Sequence, residues 1–257
     1  MTGDLAALFG LSQQFLWHGF AVFLRVGAIV ALLPAFGEES VPMRIKLVLA
    51  VSFTAIVAPA APTPPAEPEA LQVTWLILSE TVIGLLIGIG IRMFVLALQM
   101  AGSIAAQATS LSQILGSAGA EPMPAIGHIL VISGLALAVT LGLHVRAAQL
   151  MIWSYQTFPM GVLPQPADVS KWGIQQISGA FSLSFALAAP FVIISFLYNL
   201  TLGVINRAMP QLMVAFVGAP VITAGGLTLL FALSPLMLSH WHEAFAVFLA
   251  RPFGGPP

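Results

Sequence analysis

Residues 79–107 read SETVIGLLIGIGIRMFVLALQMAGSIAAQ. Glu80 and Arg92 bracket a wholly uncharged run, residues 81–91. A helix of about twelve residues rises only about 18 Å, well short of a hydrocarbon core of roughly 30 Å. Charges at membrane depth persist only where they face protein or water. The stretch therefore predicts a helix whose surface is shared with other helices, and not one strut of an independent spanning bundle. Gly84 and Gly88 form a GxxxG pair, and Gly102 with Ala106 repeats the small-xxx-small spacing, which lets helix backbones approach closely. The plainer reading is that small residues are common in membrane helices.

The rest of the chain is of the same kind. Of 257 residues, 59% are hydrophobic and 7% charged, with a mean hydropathy of +1.01. A soluble domain carries about 25% charged residues, so too few remain here to cover a soluble surface. The net charge is −1 with no basic run, which argues against a nucleic-acid partner. There is no cysteine, hence no disulfide, no thiolate metal site and no cysteine nucleophile. Residues 1–24 hold no Lys or Arg, only Asp4, so the first apolar stretch is expected to be a retained helix and not a signal peptide.

Charge-poor runs near spanning length cover residues 11–33, 47–61, 75–94, 126–143, 181–202 and 214–238, with shorter stretches at 97–115 and 147–163. Residues 59–69, PAAPTPPAEPE, predict an extended proline-rich loop. Residues 165–171, with Pro166, Asp168 and Lys171, predict a second polar break, and the Pro/Gly-rich residues 251–257 a frayed end. Arg25 interrupts the first run, Arg207 stands between two others, and Pro190, Pro210, Pro220 and Pro235 puncture the last third. Arg44 and Lys46 mark one side as cytoplasmic, but Arg146 and Lys171 conflict with Arg92 and Arg207, so loop charge leaves the orientation open.

Little points to covalent chemistry. His18, His128, His144, His240 and His242 lack an HExxH frame or a carboxylate pair, and neither GxSxG nor a P-loop occurs. Gly88 and Gly90 form a GxG, but Met93 stands where a third glycine would fall. No catalytic residue, metal site or cofactor is expected. Arg25, Glu80, Arg92 and Arg207 are the membrane-depth ionisable groups. They read either as an ion pathway or, more simply, as helix-end anchors and intersubunit ion pairs needed for assembly.

Four blocks carry a resemblance. The first runs from Arg25 through Pro34, Phe36-Gly37, Val41-Pro42, Arg44 and Pro59. The second holds Glu80, Gly84, Gly88, Arg92, Phe94, Gln99, Gly102 and Gln107, and the third His144, Leu150, Ser154, Phe158-Pro159 and Gly161. The fourth holds Asn199, Gly203, Arg207, Pro210-Gln211, Gly218 and Pro220. In this order they resemble the FliR family, the R protein of the bacterial flagellar type III export apparatus; injectisome relatives share the pattern less closely. Departures fall at Ala108-Thr109, Glu121-Pro122, Met213 and Ala219.

The resemblance implies an all-α membrane protein of broken helical hairpins, one domain over residues 1–257, packed into a larger helical pore assembly. It implies FliP- and FliQ-type partners, an FlhB-type neighbour, membrane lipid, and unfolded flagellar proteins as cargo. Its place would be the flagellar basal body in the bacterial inner membrane, with ATP hydrolysis and proton coupling left to partners. Residues 110–125, SLSQILGSAGAEPMPA, would plug the pore. Ser110, Gly116 and Gly119 allow close packing and sharp turns, Ile114, Leu115 and Met123 can seal against water, and Glu121 is the single charge. An ordinary interhelical loop is the bland alternative. Gly84, Gly88, Gly102 and Gly218 are expected at helix contacts, with Pro210 and Pro220 at helix breaks. A secondary transporter or ion channel with broken midplane helices is the competing class, and would need an inverted repeat and a polar pocket. An intramembrane enzyme would need a convergent nucleophile or metal set.

Overall fold

A computed structural model of the chain describes residues 2–65, 69–109, 125–209 and 214–254. Among them are seven α-helices and no strand: α1 (Thr2–Leu32), α2 (Met43–Val57), α3 (Ala70–Thr109), α4 (Ala125–Thr140), α5 (Leu143–Thr157), α6 (Pro166–Ala208) and α7 (Val214–Ala250). Five of the described helices are long and apolar enough to cross a membrane, and a sixth span results if α4 and α5 together form one broken span. The chain is thus an all-α, multi-pass membrane protein; its composition predicts the membrane character, and the resemblance implies the all-α fold.

Helices α1, α3, α6 and α7 are longer than the charge-poor runs they contain. α3 joins 75–94 to 97–109 because nothing between them breaks a helix, and its two charges find partners. At 40 residues it is about 60 Å long. α6 has 43 residues, about 65 Å, with Pro190 in its interior. The polar break expected at 165–171 is mostly the first turn of α6. Pro166 suits a first helical position, and Asp168 faces the positive end of the helix dipole. Pro220 and Pro235 lie within α7 and do not end it. Gly142, at φ 85°, separates α4 from α5.

The chain divides into two compact units. The first comprises Met1–Arg92, Val139–Ile174 and Ala246–Pro257. Its core holds Val26, Ile29, Ile83, Ile87, Ile91 and Leu150. The described end of the chain is docked here and not frayed: Trp172 Nε1 donates to Pro252 O (2.7 Å), and Phe253 packs on Phe158 and Trp172. The second unit comprises Met93–Ala138 and Gln175–Phe245. Its core is built on Leu98, Phe191, Trp241 and Phe245, with Trp241 Nε1 donating to Phe94 O (2.8 Å). In it, α6 meets α7 near their junction, where Tyr198 Oη donates to Gly218 O (2.8 Å).

Candidate functional site

The first unit buries an ion pair where α1 crosses α3. The crossing is close because Gly84 lies against α1: a Cβ there would stand 2.5 Å from Arg25 O and 2.7 Å from Ala28 Cβ. At Gly88 it would meet Leu32 at 2.9 Å. The GxxxG pair is therefore a helix contact within the chain. One turn from it, Arg25 and Glu80 are fully buried. Arg25 Nε donates to Glu80 Oε2 (2.8 Å), and Nη2 to Oε1 (3.0 Å), a bidentate geometry that only the planar guanidinium provides.

α5 completes the cluster. Arg25 Nη1 donates to Ser154 Oγ (3.2 Å), and the guanidinium carbon lies 3.8 Å from the Tyr155 ring centroid. Tyr155 Oη is buried with no hydrogen-bond partner among the described residues. Beyond α5 the chain turns at Gly161, φ 77°, where a side chain would be strained. Gly161 N–H donates to Glu80 Oε1 (3.0 Å), and its carbonyl accepts from Trp75 Nε1 (3.0 Å). Glu80 thus holds both an arginine and a turn. That turn, Trp17, Trp75 and Pro62–Pro65 enclose a mostly apolar cavity of about 740 Å³.

Arg92 forms the second pair of this unit. Its Nη1 and Nη2 donate to Glu38 Oε1 (2.5 Å) and Oε2 (3.0 Å), with the side chains 27% and 21% exposed. Glu38 sits in the turn after α1. That turn requires Ala35 at φ 67° and a glycine at Gly37, where a Cβ would collide with the Ala31 carbonyl, and Lys46 Nζ donates to Gly37 O (3.0 Å). Three of the four membrane-depth charges are therefore satisfied inside the chain, where intersubunit pairing was one expectation. Arg207 is exposed and has no acidic partner among the described residues.

In the second unit, Gly102 lies directly against Gly127 of α4, and Gly218 against Tyr198 and Leu202. Gly226 abuts Thr109, with a Cβ position 2.7 Å from Thr109 Cγ2. The plug candidates Ser110, Ile114, Leu115, Gly116, Gly119, Glu121 and Met123, and also Pro210, lie outside the described residues. Pro220 falls inside α7. Reasoning from sequence missed Glu38, Tyr155, Trp75 and Gly161 as partners. Two signals were available: an acidic pair following Phe36-Gly37, and a tryptophan five residues before Glu80.

The arrangement ties helices together. Among the described residues no three His, Asp or Glu side chains converge as a metal site would require. His18 Nε2 lies 2.8 Å from Ala58 O.

The profile of bacterial export proteins, family 1, matches residues 16–247. The chain is 33% identical to flagellar biosynthetic protein FliR of Caulobacter vibrioides, over 81% of this chain and 85% of the relative. It is 29% identical to the FliR protein of Escherichia coli K12, covering 87% and 86%. With that of Bacillus subtilis it shares 26%, covering 77% and 79%.

Proposed function

Since the chain belongs to the bacterial export proteins, family 1, and is a FliR-type component of the flagellar export apparatus, we propose that it is a gate subunit. It assembles with FliP- and FliQ-type proteins, next to an FlhB-type protein, into the pore for unfolded flagellar proteins across the inner membrane. One copy joins several of the others, as a single domain of broken hairpins, and residues 110–125 seal the channel.

The observation that carries this reading is α6. Its 43 residues reach about 65 Å, twice a hydrocarbon core of roughly 30 Å. Yet Ile174, Phe181, Phe185, Phe196, Val204 and Ile205 stand exposed along it, a stretch of about 47 Å. Lipid covers only about two thirds of that stretch, so the remainder needs protein. A pore wide enough for a polypeptide leaks ions unless sealed, and the Ser-, Gly- and Met-bearing segment 110–125 suits that task. Arg207, exposed and without an acidic partner among the described residues, suits an intersubunit ion pair.

The test is expression of a tagged chain with and without the other gate subunits. With them it should elute as one hetero-oligomer. Without them it should aggregate or be degraded. A chain equally abundant and well behaved alone refutes the proposal.

A further inference from the structure

The first unit holds a cavity that the gate reading does not use. It measures about 740 Å³ and lies between Trp17 of α1, the loop residues Pro62–Pro65, the first turns of α3 and the turn Pro159–Gly161. Fixed elements keep it from collapsing. Trp17 Nε1 donates to Pro65 O (3.1 Å), and His18 Nε2 lies 2.8 Å from Ala58 O, so the proline loop is tied to α1 at two points. Its prolines have fixed φ angles. Opposite, the Gly161 turn is locked by Glu80 Oε1 and Trp75 Nε1.

The wall is mostly apolar, built on Pro62, Pro64, Leu71, Leu76, Leu78 and Met160. Four polar side chains in it already bond locally. Besides the two indole N–H groups, Thr74 Oγ1 donates to Ala70 O (3.0 Å), and Gln72 Oε1 accepts from Glu69 N–H (3.2 Å). Among the described residues no charged side chain lines the cavity.

These features select the occupant. A helix roughly 10 Å across would fit only about 9 Å of its length into 740 Å³, under two turns. An extended polypeptide needs partners for its N–H and C=O groups, and Pro62, Pro64 and Pro65 have no N–H to give. Water needs about two to four polar partners per molecule. A hydrocarbon chain needs none. Lipid is also at hand. Trp17 and Trp75 each stand five residues inside the start of a candidate span, Ser12–Leu32 and Ala70–Thr109, the level at which membrane proteins place indoles. Leu71 and Leu78 line the cavity and are exposed. Phe20, also exposed, stacks on Trp17 with ring centroids 5.9 Å apart. Apolar surface therefore continues from the cavity onto α1 and α3.

We propose that this cavity binds one acyl chain of a membrane phospholipid, with the head group left outside. The chain would prop the proline loop against the turn that Glu80 holds.

The test reconstitutes the full chain, with whatever subunits co-purify, in vesicles of phosphatidylethanolamine and phosphatidylglycerol. A fraction of the phosphatidylglycerol carries a diazirine at the middle of one acyl chain. After irradiation, peptide mass spectrometry should find lipid adducts on Leu76 or Met160. A probe with the diazirine on the head group should label neither. Met160→Trp, which fills part of the cavity, should lower the Leu76 adduct roughly fivefold, while labelling elsewhere on the chain stays as it was. If the acyl probe labels the chain elsewhere but neither Leu76 nor Met160, the proposal is wrong, whether or not the variant is recovered. An adduct on Leu76 that Met160→Trp leaves unchanged, or that the head-group probe gives equally, also overturns it. None of these outcomes bears on the gate reading, which the co-purifying subunits decide separately.

Discussion

Arg25 Nε lies 2.8 Å from Glu80 Oε2, and neither side chain has any solvent exposure. The two residues are 55 positions apart, and through them α1 is tied to α3. Burying both charges is costly unless the geometry is good and the other polar atoms are satisfied. Both conditions hold: the contact is bidentate, and Ser154 Oγ and Gly161 N–H take up further capacity.

Glu80→Ala leaves Arg25 buried and unpaired, at a cost of about 3–5 kcal/mol. The variant should lose most of its steady-state level in membranes even when its partner subunits are present. Arg25→Met combined with Glu80→Leu should recover much of it, because removing both charges removes the desolvation penalty. Quantitative immunoblots of Glu80→Ala, Arg25→Met and the double variant check this. Equal loss in all three would place the defect in packing and not in charge.

Arg92→Ala should be milder. The Arg92–Glu38 pair is partly exposed, so its removal costs about 1 kcal/mol. The complex should form with a lowered midpoint in a thermal shift assay by size-exclusion chromatography. A loss as large as that of Glu80→Ala would show that Arg92 does more than pin the turn after α1.

Two glycines should respond in opposite ways. At Gly84 an added methyl meets the Arg25 carbonyl of α1, which has nowhere to go. Gly84→Ala should destabilise by about 1–3 kcal/mol. Gly203 has nothing within 4 Å and lies inside α6, so Gly203→Ala should be neutral, or stabilise by up to about 1 kcal/mol through helix propensity. The same thermal assay ranks them, and a reversed order contradicts the packing described.

Several parts of this structure were legible in the residues. Few charges and several apolar runs announced a membrane protein, and the 84/88 glycine spacing announced a close helix contact. Arg25 and Glu80 stood out as charges without solvent. What could not be read was that they are each other's partner. Side-chain spacing reports neighbours within one helix, and nothing local links residues 55 apart. The charge-poor run 75–94 covers only part of α3, and the polar residues 165–171 look like a break although α6 begins within them. In the structure Glu38 neutralises Arg92, and Lys171 lies in the opening turns of α6. Gly161 appeared in a shared block, but its role required knowing that Glu80 and Trp75 reach it.

Deleting residues 115–119 should leave the complex assembled and make the membrane leaky to ions, with slow growth and altered export. A membrane-potential dye and a motility assay read both effects. A tight membrane with normal export would make residues 110–125 a simple connector.

Whether this chain is built into a hetero-oligomer separates a gate subunit from a protein that acts alone. Native mass spectrometry of the tagged chain, purified in mild detergent from cells making all the gate subunits, decides it directly. The predicted result is one copy of this chain bound to several copies of at least one smaller, unlike membrane protein. A monodisperse monomer, or an oligomer of this chain alone, would contradict it.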